Sequence, residues 1–182
     1  MEVWASRYTY YTLHKHESLQ ITPDQYDIVG KYLVEAIQEV LGDNCTPSIQ
    51  DVWTAAYDQL AGIMIQKESS LSDQDKEWKD WGDFHIVKIS RESDEISSFH
   101  LSPVDGKPIP TFVPGQYVSV RVYVPNLGYM QARQYSMSDV TSSQYYRNQC
   151  KQEQGQQFTP GILSNVLHAL KEPGQIVKVS HT

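Results

Sequence analysis

Gly115-Gln116-Tyr117-Val118-Ser119-Val120-Arg121-Val122-Tyr123-Val124 leads, across a turn at Asn126-Leu127-Gly128, into Met130-Gln131-Ala132-Arg133-Gln134-Tyr135-Ser136. Four valines alternate with Tyr117, Ser119, Arg121 and Tyr123, which predicts a strand with one buried face and one polar, aromatic face. The second segment reads as its partner strand. On it Arg133 and Tyr135 share one face, while Gln134 and Ser136 share the other. A guanidinium grips phosphate oxygens as a fork, a tyrosine ring offers a stacking plane, and a serine hydroxyl can bond the edge of a heterocycle. The set suits a flat, phosphate-bearing cofactor. An exposed strand with an ordinary arginine accounts for the spacing equally well.

Working outward, the period stays at two through Phe84–Ser90, Ile96–Leu101, Tyr145–Cys150 and Ile176–Ser180, with turn signals such as Asp105-Gly106 between them. Thr159-Pro160-Gly161 opens a short helix that carries Leu163, Val166, Leu167 and Leu170 inside, and Gly161 to Asn165 presents small polar residues where phosphate favours a helix start. Before residue 84 the period is that of a helix. Thr22-Pro23-Asp24-Gln25 has the cap, the first-turn proline and the reciprocal glutamine of a helix N-terminus. Ile28/Val29, Tyr32/Leu33, Ala36/Ile37 and Val40/Leu41 make one apolar face, and Gly42 stops the helix. Thr46-Pro47 starts a second helix, striped by Ile49, Val52/Trp53, Ala56/Tyr57, Leu60 and Ile63/Met64 and fading near Glu68; the two should pack together. Ser69–Asp83 reads as a polar linker pinned by Trp78 and Trp81. Helices followed by an antiparallel sheet imply an α+β chain of two domains.

The 182 residues suffice for one good core or two small ones. Hydrophobic residues at 40%, charged residues at 20% and a net charge of −7 are ordinary globular values and argue against a nucleic-acid or anionic-membrane partner. No apolar run is long enough for a transmembrane helix, and Met1-Glu2-Val3-Trp4 lacks the pattern of a signal peptide. A cytoplasmic location follows as the expectation. Cys45 and Cys150 read as reduced structural thiols. His14 and His16 point to different faces of a helix, so one of them at most can ligate a metal between helices. His85, His100, His168 and His181 read as structural.

Pro114-Gly115-Gln116-Tyr117, followed by Arg133-Gln134-Tyr135-Ser136, resembles the flavin-binding barrel of the ferredoxin-reductase superfamily. Gly161 to Asn165 resembles that superfamily's second phosphate-binding segment. His14-Lys15-His16, Gln25 to Gly30, Trp53 with Ala56-Tyr57, and Leu60 to Glu68 resemble the end of a globin. Joined in this order they resemble flavohaemoglobin, the nitric oxide dioxygenase, over roughly residues 12–182. The resemblance implies partial globin helices (1–75), a linker (76–83) and an antiparallel six-stranded FAD-binding β-barrel with one short helix (84–182). It implies haem b and FAD as cofactors, O2 and nitric oxide as small-molecule partners, and a monomer.

By position the resemblance makes His16 the haem iron ligand and Lys15 a neighbour that tunes the iron. Tyr26 and Glu68 become a catalytic relay to the imidazole nitrogen facing away from the metal. Tyr117, Arg133, Gln134, Tyr135 and Ser136 hold FAD, with Ser164 and Asn165 as weaker pyrophosphate contacts. The distal haem half and an NAD(P)H-binding domain are not recognisable in the chain, which reads as a fragment or truncated form of the longer protein. Two other readings stay open: a flavin-only reductase module, and a non-enzymatic remnant that binds haem or a partner.

Overall fold

The computed structural model describes residues 11–72, 80–139, 144–155 and 160–181. The chain forms two compact units, residues 1–79 and 80–182. In the first, helix α1 (residues 11–18) ends where Gln20 takes a left-handed φ of 55°. Helix α2 (Pro23–Leu41) follows, its start fixed by the bond that the Thr22 amide donates to Gln25 Oε1 at 2.9 Å. Gly42, at φ 52°, caps its end by donating to the Gln38 carbonyl. A 3-10 turn (Gly42–Asn44) leads to helix α3 (Pro47–Ser72).

Helices α2 and α3 pack tightly at Gly30, where a Cβ would enter the Tyr57 ring. There the Tyr57 hydroxyl donates to the Tyr26 carbonyl at 2.6 Å, tying the two helices edge to edge. The core of this unit is small: Leu13, Tyr26, Ala61 and Met64, with Ile21, Tyr57 and Ile65 packed against it. The apolar stripes expected to bury against each other do so only at their margins. Val29 is 58% exposed, Tyr32 61% and Val40 84%; on α3, Val52 is 65% exposed and Trp53 48%. The reason is geometric. A glycine at the crossing lets α2 meet α3 through Tyr26 and Gly30, which turns the wide stripe of α2 away from its neighbour.

The second unit is one antiparallel sheet of β1 (Gly82–Arg91), β2 (Ile96–Pro103), β3 (Tyr117–Val124), β4 (Tyr129–Ser136), β5 (Tyr146–Lys151) and β6 (Ile176–His181), with helix α4 (Ile162–Ala169) packed against β3, β4 and β5. Strand order is β4-β3-β6-β1-β2-β5, antiparallel at every pairing. The expected barrel is therefore an open sheet among the described residues. Its two edge strands, β4 and β5, share no ladder, and past the end of β4 an isolated bridge joins Met137 to Asn148. β1 starts at Gly82, inside the stretch expected to be linker, and the Trp81 ring lies 4.3 Å from the Arg121 guanidinium; Trp78 lies outside the described residues.

The valine alternation of β3 decides which face becomes the core. Val118, Val120 and Val124 are at most 2% exposed, together with Phe84, Ile86, Phe99, Leu101, Leu163 and Val179. Side chains of this size contribute about 1.5–3 kcal/mol each when fully buried. Tyr146 is wholly buried; its ring stacks on Phe84 at 6.1 Å and its hydroxyl reaches the Pro110 carbonyl at 3.2 Å.

Candidate functional site

Two constellations stand out, one in each unit. In the helical unit, α1 delivers His16 and α2 delivers Tyr26 one turn after the cap. Glu68 comes from the last turns of α3. Their atoms converge: His16 Nδ1 lies 2.9 Å from both the Tyr26 hydroxyl and Glu68 Oε1, and the Tyr26 hydroxyl donates to Glu68 Oε1 at 2.5 Å. A carboxylate oxygen that already receives the tyrosine proton can only accept again, so Nδ1 carries the imidazole proton. Nε2 is left with its lone pair. Burial, followed by the Glu68 carboxylate, pushes the Tyr26 phenol well above its ordinary value, so Tyr26 stays a donor at neutral pH.

His16 lines a cavity of about 560 Å³ whose wall is mostly apolar, from Ile21, Val29, Leu60, Ala61 and Met64, with Thr12, Gln25, Tyr26 and Tyr57 also on it. Tyr26 lines this space beside His16, while Glu68 bonds both from outside its lining. Lys15 lies beside His16 on α1 with its side chain exposed. His14 is partly buried on a different face. Among the described residues no group of three or more protein ligands could hold a bare metal ion.

In the sheet unit, β3 and β4 pair in a register that sets Tyr117 opposite Ser136, Val118 opposite Tyr135, Ser119 opposite Gln134 and Val120 opposite Arg133. Cross-strand partners share a face, so Arg133 and Tyr135 stand together and Tyr117 stands with Ser136. The Arg133 side chain is exposed, with Nη1 donating to the Ala132 carbonyl at 2.8 Å. The Tyr135 hydroxyl lies 3.7 Å from Cys150 Sγ on β5. Burial, then the neighbouring thiol, raises its phenol far above the ordinary range, and burial raises the Cys150 thiol in turn. Cys45 and Cys150 are both free thiols.

Helix α4 begins at Gly161, where a Cβ would collide with Ser164 Oγ at 2.5 Å and with the Glu153 side chain at 2.8 Å. Ser164 Oγ is buried with no hydrogen-bond partner. Asn165, expected as a pyrophosphate contact, lines the cavity beside α4 and also makes local bonds. Its Nδ2 donates to the Glu153 and Gly161 carbonyls at 2.9 and 2.5 Å, so both amide protons brace the turn before α4. A cavity of about 600 Å³ opens here between α4 and the β3–β4 turn, lined by Val124, Pro125, Leu127, Pro160, Gly161 and Ile162.

Of the residues singled out from the sequence, His16, Tyr26 and Glu68 meet through hydrogen bonds, Arg133 to Ser136 lie along an edge strand, and Ser164 and Asn165 lie on α4. Tyr57, which sets the height of Tyr26 through its carbonyl, and Arg147, which bonds the segment after β4, were not foreseen. For Arg147 a signal existed: Arg147-Asn148-Gln149-Cys150 is unusually polar for a strand.

Comparison with known proteins reaches both units. The Globin family model matches residues 6–64. A flavohemoprotein of Rhizobium meliloti is 45% identical over 171 residues, 92% of this chain and 42% of the relative. The crystal structure of a flavohemoglobin from Malassezia yamatoensis with bound FAD and heme superposes with a TM-score of 0.84 at 27% identity, covering 97% of this chain and 44% of that one. The Flavohem-like FAD/NAD binding domain of a Vibrio cholerae nitric oxide dioxygenase matches 56% of the chain and 43% of its own length, with a TM-score of 0.53 and 32% identity. The chain spans less than half the length of these relatives. Over 92% of its length the chain is similar to flavohemoproteins.

Proposed function

We propose that this chain carries the haem-anchoring and flavin-binding parts of a flavohaemoglobin-type nitric oxide dioxygenase, working in the cytoplasm on O2 and nitric oxide. The observation that carries the reading is the hydrogen-bonded His16–Tyr26–Glu68 triad, whose His16 and Tyr26 line a mostly apolar cavity, in a chain that also presents Arg133, Tyr135 and Ser136 along one edge strand. When bound, haem b supplies an iron at which O2 and nitric oxide combine to nitrate, and FAD supplies electrons to it from NAD(P)H.

The residues present fit both groups. For haem, the apolar walls suit a porphyrin, and the Nδ1 bonds leave the His16 lone pair on Nε2 as the one ligand the macrocycle requires from the protein side. Glu68 and Tyr26 hold the imidazole in a single tautomer and orientation and make it a stronger donor. The Lys15 ammonium places a positive charge beside this group, which opposes that effect and sets its size. For FAD, Arg133 holds an exposed guanidinium for a phosphate, and Tyr135 offers a ring on the same face. Ser136 and Tyr117 pair at the end of the strand, and Gln134 lies between Tyr135 and Arg133 on the other face. The orphaned Ser164 hydroxyl suits an anion at the start of α4. Asn165 acts one step back, keeping that start in shape.

The test is a flash-reduction experiment on protein loaded with haemin and FAD. Absorbance changes at the haem bands that follow those of the flavin support the reading. Flavin changes alone would leave a flavin-only module, and failure to load either group would leave a remnant.

A further inference from the structure

The open sheet has two loose ends, and one side chain fastens them. Strand β4 is paired with β3 alone, and that ladder finishes at Ser136 opposite Tyr117. The chain then crosses to the far edge. The Met137 amide donates to the Gln116 carbonyl at 3.2 Å, Met137 bridges Asn148, and the Ser138 amide donates to the Arg147 carbonyl at 2.8 Å. Arg147 answers from β5. Its Nη1 donates to the Ser138 carbonyl at 3.0 Å, closing a reciprocal pair with that amide. Its Nη2 donates to Glu92 Oε1 at 2.8 Å and to Ser98 Oγ at 3.1 Å. Ser98 is fully buried and hydrogen-bonds Glu92, and with Arg147 it holds that carboxyl below its usual range. One prong of the guanidinium therefore grips the segment that follows Ser136, and the other is anchored in the β1–β2 hairpin.

Resting on the flavin reading above, we infer that Arg147 is a positioning residue for the flavin-binding edge. It holds the Ser136–Ser138 crossover, and through it Ser136 and Tyr135, in place against β5. Separate nitrogens, Nη1 and Nη2, reach Ser138 and Glu92; an ammonium carries its three donors on one nitrogen and lacks that planar spread. Without the fork, β4 keeps β3 as its strand partner, and the residues on the cofactor face gain freedom at the end nearest the crossover.

The test titrates the full chain with FAD, following visible absorbance and flavin fluorescence, in the unmodified protein, Arg147→Lys, Glu92→Gln and Val177→Ala. The last loosens the core at a distance from the clamp. Arg147→Lys should weaken FAD binding about tenfold, the loss of one charge-assisted hydrogen bond, and should relieve the quenching of flavin fluorescence by Tyr135. Glu92→Gln should move both in the same direction by about threefold, since the Ser138 prong survives. Val177→Ala should lower the melting temperature and leave both flavin readouts unchanged. A folded Arg147→Lys protein with unmodified FAD affinity and fluorescence overturns the inference. If that variant does not fold, an unchanged Glu92→Gln protein overturns it. Equal flavin losses in Val177→Ala would show a general stability effect, and that too overturns it. Failure of the unmodified chain to bind FAD removes the flavin reading itself, and the inference with it.

Discussion

Replacing Glu68 by Gln probes the helical site at its most sensitive atom. Glu68 Oε1 accepts from both Tyr26, at 2.5 Å, and His16 Nδ1, at 2.9 Å, so a single substitution alters two bonds. A glutamine oxygen can still accept, but without charge. Hydrogen bonds to charged groups are worth about 1.5–3 kcal/mol and neutral ones about 0.5–1.5. The His16 side chain is 30% exposed and that of Glu68 12%, so solvent screens part of the difference. A change of about 1 kcal/mol in how the imidazole is polarised remains, which is about 40 mV for a one-electron couple. The sign follows from charge: a carboxylate behind the imidazole favours ferric over ferrous iron, so removing it raises the midpoint potential. The assay is a spectroelectrochemical titration of the haem-loaded protein beside Glu68→Gln and Tyr26→Phe, the second of which keeps the carboxylate and should shift less. A potential that stays fixed or falls in Glu68→Gln, with haem still bound through His16, would refute the reasoning.

Gly30→Ala should destabilise the helical unit. The new methyl meets the Tyr57 ring, which its own bond to the Tyr26 carbonyl holds in place. Overpacking of this kind costs about 1–3 kcal/mol, against about 1 kcal/mol gained in helix propensity. Chemical denaturation followed by circular dichroism decides it, and a net gain in stability would show that the crossing is looser than described. High pH should also destabilise the fold. Tyr26 and Tyr135 hold their protons more tightly when folded than unfolded. Their contribution is complete below about pH 10, the unfolded value, and is lost as pH rises toward and through the higher folded values. Denaturant midpoints measured from neutral to strongly alkaline pH should fall above that point, less steeply in Tyr135→Phe. Stability that rises there would contradict the burial of both phenols.

How much of this could be read in advance depended on whether the physics was local. The start of α2 follows from Thr22, Pro23 and Gln25 within one turn, and its end from Gly42; both were legible. The valines of β3 announce their face by alternation, and the register with β4 keeps the expected grouping of Arg133 with Tyr135. Amphipathic stripes on α2 and α3 said which faces avoid water but not what covers them; Val40 remains 84% exposed. The triad joins residues 10 and 52 positions apart, so no local pattern could supply it, and resemblance alone proposed it. Asn165 was read as a ligand contact because it sits at a helix start. Whether its amide faces outward or braces the preceding turn depends on the path of the chain from Glu153. Arg147 reaches Glu92 across 55 positions and Ser138 across a sheet edge, a tie visible only once the strands are in order.

The central claim is that His16 anchors a haem in the same chain that binds flavin. Titrating the unmodified protein and His16→Ala with haemin and FAD, and recording absorption spectra, tests it most directly. The account predicts a one-to-one haem band that is lost in His16→Ala and flavin bands that are kept in both. A haem band that survives the substitution unchanged, or flavin bands with no haem band in the unmodified protein, would contradict it.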